Sequence, residues 1–149
     1  MPSLFVENQL IVSDVISSSS QPTIDQFFDI VDEDYEAVIN LIAPSSPHYL
    51  SEEADRVISL EMSYFHIPVP FDSPQPYHLK QFFGLMQLMQ NGKVWVHCAL
   101  NYRASAFLYQ YYRLILGKSA QEAKQVMLPQ WQPDRIWQQF MRLEMEDLS

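Results

Sequence analysis

The sequence contains one cysteine, and the residues beside it are types that commonly take part in catalysis. Cys98 follows His97 and precedes Arg103 by five positions, within VWVHCALNYRASAF at residues 94–107. A thiolate is a nucleophile, and a guanidinium can bind the oxygens of an oxyanion through two parallel hydrogen bonds. These residue types therefore predict attack by Cys98 on an anionic substrate that Arg103 binds.

The residues around Cys98 predict a turn from a β-strand into an α-helix. KVWVHC at 93–98 has the apolar pattern of a strand, and RASAFLYQYYRLIL at 103–116 that of a buried helix closed by Gly117. A loop between them can point backbone N–H groups inward, and the helix N-terminus adds partial positive charge. We therefore predict a phosphate-binding loop that favours the thiolate. The loop residues are Ala99, Leu100, Asn101, Tyr102, Arg103 and Ala104.

Two neighbours are predicted to support the thiol. We expect His97 to hydrogen-bond nearby backbone and fix the loop, and Ser105 to donate to the sulfur so that the cysteine can leave a covalent intermediate. The alternative for a lone cysteine is a buried, inert thiol, because free cysteine is among the most buried residue types.

Apolar runs alternate with helical patterns along the rest of the chain. Strands are predicted at 10–15, 36–42, 64–69 and 93–98, with SSSSQP at 17–22 as a polar loop. Helices are predicted at 23–31, from Ser51, Glu52 and Glu53 to about Leu60, from about Pro76 to Gly92, at 103–116, from Ser119 and from Pro133. The pattern indicates one α/β domain over residues 1–149, a mainly parallel sheet of about four to five strands flanked by helices. Ligands of such folds bind beyond the carboxyl ends of the strands.

Composition excludes several classes of protein. A net charge of −9 argues against binding nucleic acid or an anionic membrane, although residues 73–121 carry five basic side chains and no acidic one. A single cysteine cannot form an internal disulfide, no histidine pair has the spacing of a helical metal site, and no apolar run is long enough for a signal peptide or a membrane span. We expect a cytoplasmic protein without metal or cofactor.

Asp72 is the candidate general acid. It lies 26 residues before Cys98, in the proline-rich stretch VPFDSPQP, and is the last acidic residue before the acid-free segment. The alternative is structural, since Asp72 or Ser73 could cap the helix that begins near Pro76.

HCALNYRAS resembles the signature loop of the protein tyrosine and dual-specificity phosphatases, in which His-Cys is followed by five residues, Arg, and Ser or Thr. More narrowly, the chain resembles a group of bacterial phosphatase-like proteins, some of them fused to metallo-hydrolase or sulfur-metabolism domains. The resemblance implies a cysteine-phosphatase-like fold, Cys98 as the phosphate-accepting nucleophile, Arg103 as the oxyanion clamp and His97 as a support. The implied partner is a phosphorylated small molecule or a phosphoprotein.

Four residues separate Cys98 from Arg103, where the phosphatase pattern has five. If the loop is shorter, Arg103 keeps its role; if it has full length, Asn101 takes the usual glycine position and Ala104 that of the arginine. The shorter loop also resembles that of the rhodanese-type sulfurtransferases. Three functions are therefore predicted as alternatives: a cysteine-dependent phosphatase, a sulfurtransferase with a Cys98 persulfide, and an inactive anion-binding module.

Overall fold

The central sheet has five strands in the order β1-β2-β5-β3-β4 in the computed structural model, which describes residues 6–149. β1 runs antiparallel to β2, and the other neighbouring strands run parallel. The strands are β1 Leu10–Ser13, β2 Ile16–Ser19, β3 Ala37–Asn40, β4 Ser63–His66 and β5 Val94–His97. The predicted α/β class with a mainly parallel sheet is confirmed; residues 1–5 of the predicted domain lie outside the described residues.

Helices surround this sheet. The α-helices are α1 Gln26–Asp32, α2 Glu53–Ser59, α3 Pro76–Leu88, α4 Tyr102–Gln110, α5 Ala120–Ala123 and α6 Arg135–Phe140. A π-helix at Tyr111–Ile115 continues α4, and 3₁₀ turns cover Lys124–Val126 and Met145–Leu148. None of the helices within residues 6–149 combines the length and the hydropathy that crossing a bilayer requires.

The alternation of side chains along the strands supplies two separate cores. Val94 and Val96 of β5 pack into a core that includes residues of α3, α4 and α6, whereas Trp95 packs into a second core with residues of α1 and α2. Successive strand residues point to opposite faces of a sheet, so an apolar run such as that of β5 is buried on both. β5 is also the middle strand, which places its carboxyl end at the centre of that edge.

One predicted loop is a strand. The expectation for residues 17–22 is wrong for Ser17–Ser19, which belong to β2 and are fully buried. Their hydroxyl groups hydrogen-bond, in order along the strand, to Tyr35, Asn101 and Trp95. Buried polar groups are tolerated when they are hydrogen-bonded, so a serine run can occupy an interior strand although its composition is typical of a loop.

Candidate active site

Cys98 follows β5 directly, at the carboxyl edge of the parallel strands. His97, the last residue of β5, is in register with Ser19 of β2 and Asn40 of β3, so the three strand ends lie side by side. Cys98 is fully buried. The sequence placed the thiol between a strand and a helix, and the structure places it there, with α4 beginning at Tyr102.

Asn101 gives the loop its sharp turn. Its backbone is left-handed, with φ of 69°, a region that asparagine tolerates better than most residues. Its side-chain amide donates to Asn8 O at 2.8 Å and to Ser18 Oγ at 3.1 Å, which ties the turn to residues that lie far away in sequence. Beyond the turn, the Ala104 N–H lies 3.5 Å from Cys98 Sγ. The first turn of α4 therefore directs a backbone donor at the sulfur.

Arg103 lies in the same cavity as Cys98. The cavity has a volume of about 170 Å³, and its other lining residues are Phe71, Ala99, Leu100 and Tyr102. Arg103 is 5% exposed, and its Nη1 donates to Val69 O at 2.8 Å. Its Nε is buried without a hydrogen-bond partner among the described residues. A buried donor without an acceptor is costly, so Nε is a group suited to an oxyanion in this cavity.

The position of Arg103 bears on the two alignments of the loop. Arg103 and Cys98 line one cavity despite the four-residue spacing, which is the arrangement that the shorter loop predicts. Ala104 contributes its backbone N–H instead. Asn101 nevertheless adopts the left-handed conformation that the other alignment assigned to it, so one short loop combines both features.

Behind the loop, His97 forms a buried pair with Glu53. His97 Nε2 lies 2.6 Å from Glu53 Oε2, and both side chains are 0% exposed. The other carboxylate oxygen, Oε1, accepts from Gln21 Nε2 at 2.7 Å, and His97 Nδ1 lies 3.2 Å from Cys98 O. His97 therefore contacts the loop backbone through Nδ1, as predicted, while Glu53 fixes Nε2. Burial raises the pKa of the nearby Tyr64 phenol, and the negative charge of Glu53 raises it further.

This role of Glu53 is not among the sequence predictions, which place Glu53 only in the first turn of a helix. The structure begins α2 at Glu53, with Glu52 as the N-cap residue. Glu53 precedes the core residue Val57 by four positions, which puts both side chains on one face of α2. This spacing is the signal that points to an inward-facing carboxylate.

Ser105 does not bond to the sulfur. Its hydroxyl accepts the Leu128 N–H at 2.9 Å and lies 3.4 Å from Asn101 Oδ1. The expectation of a serine donor to Cys98 is therefore wrong in this conformation, because the hydroxyl is engaged elsewhere. Ser105 instead connects the turn of the loop with the segment that follows α5.

The chain is similar over most of its length to proteins of known structure. A DUF442 protein from Shewanella putrefaciens CN-32 is 30% identical in sequence, with a TM-score of 0.82 over 91% of this chain and 89% of that chain. The chain belongs to the DUF442 family. The Shewanella protein is named as a phosphatase, so the resemblance of HCALNYRAS to phosphatase-like proteins is confirmed. No protein-family model and no curated protein matches the sequence.

More distant structures share the fold of this DUF442 chain. TpbA of P. aeruginosa has a TM-score of 0.73 at 16% identity and covers 91% of this chain and 84% of its own. The core catalytic domain of the PP-IP phosphatase SIW14 from S. cerevisiae has a TM-score of 0.76 at 16% identity, over 97% of this chain and 90% of its own. At this identity the comparison establishes the fold, that of the tyrosine and dual-specificity phosphatases.

Asp72 lies outside the cavity of Cys98 in this DUF442 chain. Its side chain is exposed and lines a different cavity, of about 330 Å³, with residues such as Gln139 and Leu143. The structural alternative is also wrong, since Gln75 is the N-cap residue of α3. Its neighbour Phe71 lines the Cys98 cavity, and Phe71 O accepts from Trp137 Nε1 at 2.8 Å. The structure thus brings Cys98, Arg103 and His97 together but not Asp72.

Metal ligands are not gathered at this site. Among residues 6–149, no three His, Cys, Asp or Glu side chains are arranged to hold a metal ion. The groups at the Cys98 cavity are a thiol, a guanidinium and backbone N–H donors, which suit an anion.

Proposed function

We propose that this DUF442 chain is a cysteine-dependent phosphatase that hydrolyses a phosphomonoester through a phosphocysteine at Cys98. The observation that carries the proposal is the cavity that Cys98 and Arg103 line together, combined with an Arg103 Nε that is buried and has no hydrogen-bond partner among the described residues. A phosphoryl group there would meet a nucleophile, a guanidinium and the first N–H groups of α4. The DUF442 protein that is 30% identical in sequence is named as a phosphatase, which supports the same reaction class.

The proposed reaction has two steps. The Cys98 thiolate attacks phosphorus, so that a P–S bond forms while the ester P–O bond breaks. The leaving oxygen keeps the bonding electrons and takes up a proton from water, and the alcohol departs. Water then attacks phosphorus, the P–S bond breaks, and inorganic phosphate leaves with the thiolate restored. Arg103 stabilises the charge on the equatorial oxygens in both steps, because it already lines the cavity of Cys98 before the substrate binds.

Hydrolysis of para-nitrophenyl phosphate between pH 5 and 8 tests the proposal. We expect Cys98→Ser to abolish turnover and Arg103→Lys to lower kcat/KM by about 10²- to 10³-fold, the usual effect of losing an oxyanion donor. Arg113→Lys is the matched control, because Arg113 pairs with Glu144 and does not line the cavity. Phosphate on Cys98 should be detected by mass spectrometry after acid quenching. Equal activity in wild type and Cys98→Ser would refute the mechanism.

Sulfur transfer is the second candidate, favoured by the length of the loop. Only four residues separate Cys98 from Arg103, as in the rhodanese-like pattern, and the cavity of about 170 Å³ is small. A persulfide on Cys98 would appear as a mass increase of one sulfur atom after incubation with thiosulfate, and cyanide would remove it as thiocyanate. Tungstate binding without either turnover would instead favour the anion-binding module.

A further inference from the structure

A second and larger depression lies beside the Cys98 cavity. It has a volume of about 820 Å³, within the range of about 300–1,000 Å³ that is common for small-molecule sites. The cavity of Cys98, at about 170 Å³, falls below that range and holds little more than a small anionic group. We call the larger depression the Trp131 groove; the segment from Lys124 to Pro133 and the residues Gln138 to Arg142 contribute most of its lining.

A pair of stacked rings separates the groove from the Cys98 cavity. Tyr102 lines the cavity and Trp131 lines the groove. Their ring centroids are 5.0 Å apart and their planes differ by 3°. Leu128, which also lines the groove, donates its N–H to Ser105 at the base of the loop. The groove is therefore built directly against the loop that carries the thiol.

The charge of the groove is opposite to that of the whole chain. Lys124 and Arg142 line it, and no acidic side chain does so among the described residues. Both cations are exposed, and neither forms a salt bridge within residues 6–149. In a chain with a net charge of −9, two unpaired cations beside aromatic and aliphatic side chains favour a ligand that is both apolar and anionic.

We propose that the Trp131 groove binds the part of the substrate that lies beyond the phosphate. The substrate class is a small phosphomonoester with an aromatic or apolar body and a second anionic group, which Lys124 and Arg142 bind while the body contacts Trp131. The inference rests on the proposed phosphatase activity for the position of the phosphate, but the groove itself can be tested without turnover.

Two matched esters test the substrate class: 4-biphenylyl phosphate and the same compound with a carboxylate on the far ring. We expect wild type to have the higher kcat/KM for the carboxylated ester, and Lys124→Gln with Arg142→Gln to remove that preference, by about two- to fivefold for each cation. The control variant carries Lys118→Gln with Arg135→Gln, two exposed cations outside the groove, and should keep the preference. An equal rate for the two esters in wild type, or a preference that survives in the groove variant, would overturn the proposal.

Binding separates failure of the groove from failure of the proposed function. Calorimetric titration of the Cys98→Ser protein with biphenyl-4-carboxylate, which has no phosphate, measures binding without turnover, and the groove substitutions show which part of it belongs to the groove. Weaker binding after the two groove substitutions, but not after the control substitutions, supports the groove. This holds even if wild type hydrolyses neither ester, because that result refutes only the phosphatase activity. Binding that is absent, or equal in all three proteins, overturns the groove even if aryl phosphates are hydrolysed.

Discussion

Glu53 Oε2 lies 2.6 Å from His97 Nε2, and neither side chain is exposed to solvent. The contact joins α2, on one face of the sheet, to the end of β5 and thus to the residue before the nucleophile. Since His97 Nδ1 lies 3.2 Å from Cys98 O, the ring is held at both nitrogens. Glu53 is therefore a positioning residue for the loop, because it acts through the histidine.

We expect Glu53→Ala to lower the free energy of unfolding by about 3 kcal/mol, because it leaves the buried Nε2 of His97 without its acceptor and removes one of the two acceptors of Gln21 Nε2. Urea unfolding measures the loss. Glu52→Ala is the matched control, since that side chain is exposed and, within residues 6–149, hydrogen-bonds only to Ser51; its effect should stay within about 0.5 kcal/mol. Equal effects of the two substitutions would contradict the role of Glu53.

Asp72→Asn should lower turnover of para-nitrophenyl phosphate by less than about tenfold. A general acid contributes about 10²- to 10⁴-fold, but the Asp72 side chain lines a different cavity from that of Cys98. The measurement is kcat/KM, and Asp134→Asn, in a helix-capping position, gives a control for the loss of a carboxylate. A loss of a hundredfold or more with Asp72→Asn alone would show that the loop closes and that Asp72 is the acid.

Asn101 offers a test of the loop backbone. Asn101→Gly removes the hydrogen bonds to Asn8 and Ser18, but glycine adopts a φ of 69° without strain. Asn101→Ala loses the same bonds and adds a left-handed strain of about 1–2 kcal/mol. The alanine variant should therefore unfold at lower urea concentration than the glycine variant. The opposite order would argue that the left-handed turn is not retained in solution.

His78 should make stability depend on pH. Its Nδ1 accepts the Gln75 N–H at 3.0 Å at the start of α3, and burial lowers the pKa of the imidazole. The unfolded chain therefore binds the proton more readily, so the contribution is fully present above the ordinary pKa of about 6.5 and is lost as pH falls below it. We expect His78→Gln to reduce the difference between the unfolding free energies measured at about pH 7.5 and at about pH 5. His48→Gln, at an exposed site, should leave that change as in wild type.

The elements around the thiol could be predicted because their signals are local. The apolar pattern of β5, the turn at Asn101 and the helix after it are adjacent in sequence, and the resulting strand-to-helix turn is confirmed. Gly117, predicted to close the helical run, has φ of 70° after the π-helix. These neighbouring sequence signals are enough to predict that Cys98 lies at the carboxyl edge of the sheet.

The partners of these residues could not be predicted, because they come from distant parts of the chain. His97 and Glu53 are 44 positions apart, and Arg103 and the Val69 carbonyl 34. The β2 serines have the composition of a loop, and only their pairing with β5 and their bonds to remote side chains make them a strand. The prediction for Asp72 rests on its position in sequence, 26 residues before the cysteine, which does not determine the cavity that its side chain lines.

The stacked rings of Tyr102 and Trp131 also give the chain an optical signal at its loop. Trp95 and Trp137 are fully buried in the two cores, whereas Trp131 is half-buried and its ring lies on a residue that lines the Cys98 cavity. An anion that displaces Tyr102 must change the surroundings of the Trp131 indole. Trp137 contacts both Trp131 and the cavity residue Phe71, so its emission responds with that of Trp131, while Trp95 lies in the other core. The combined emission of Trp131 and Trp137 therefore reports such a displacement in real time without a label.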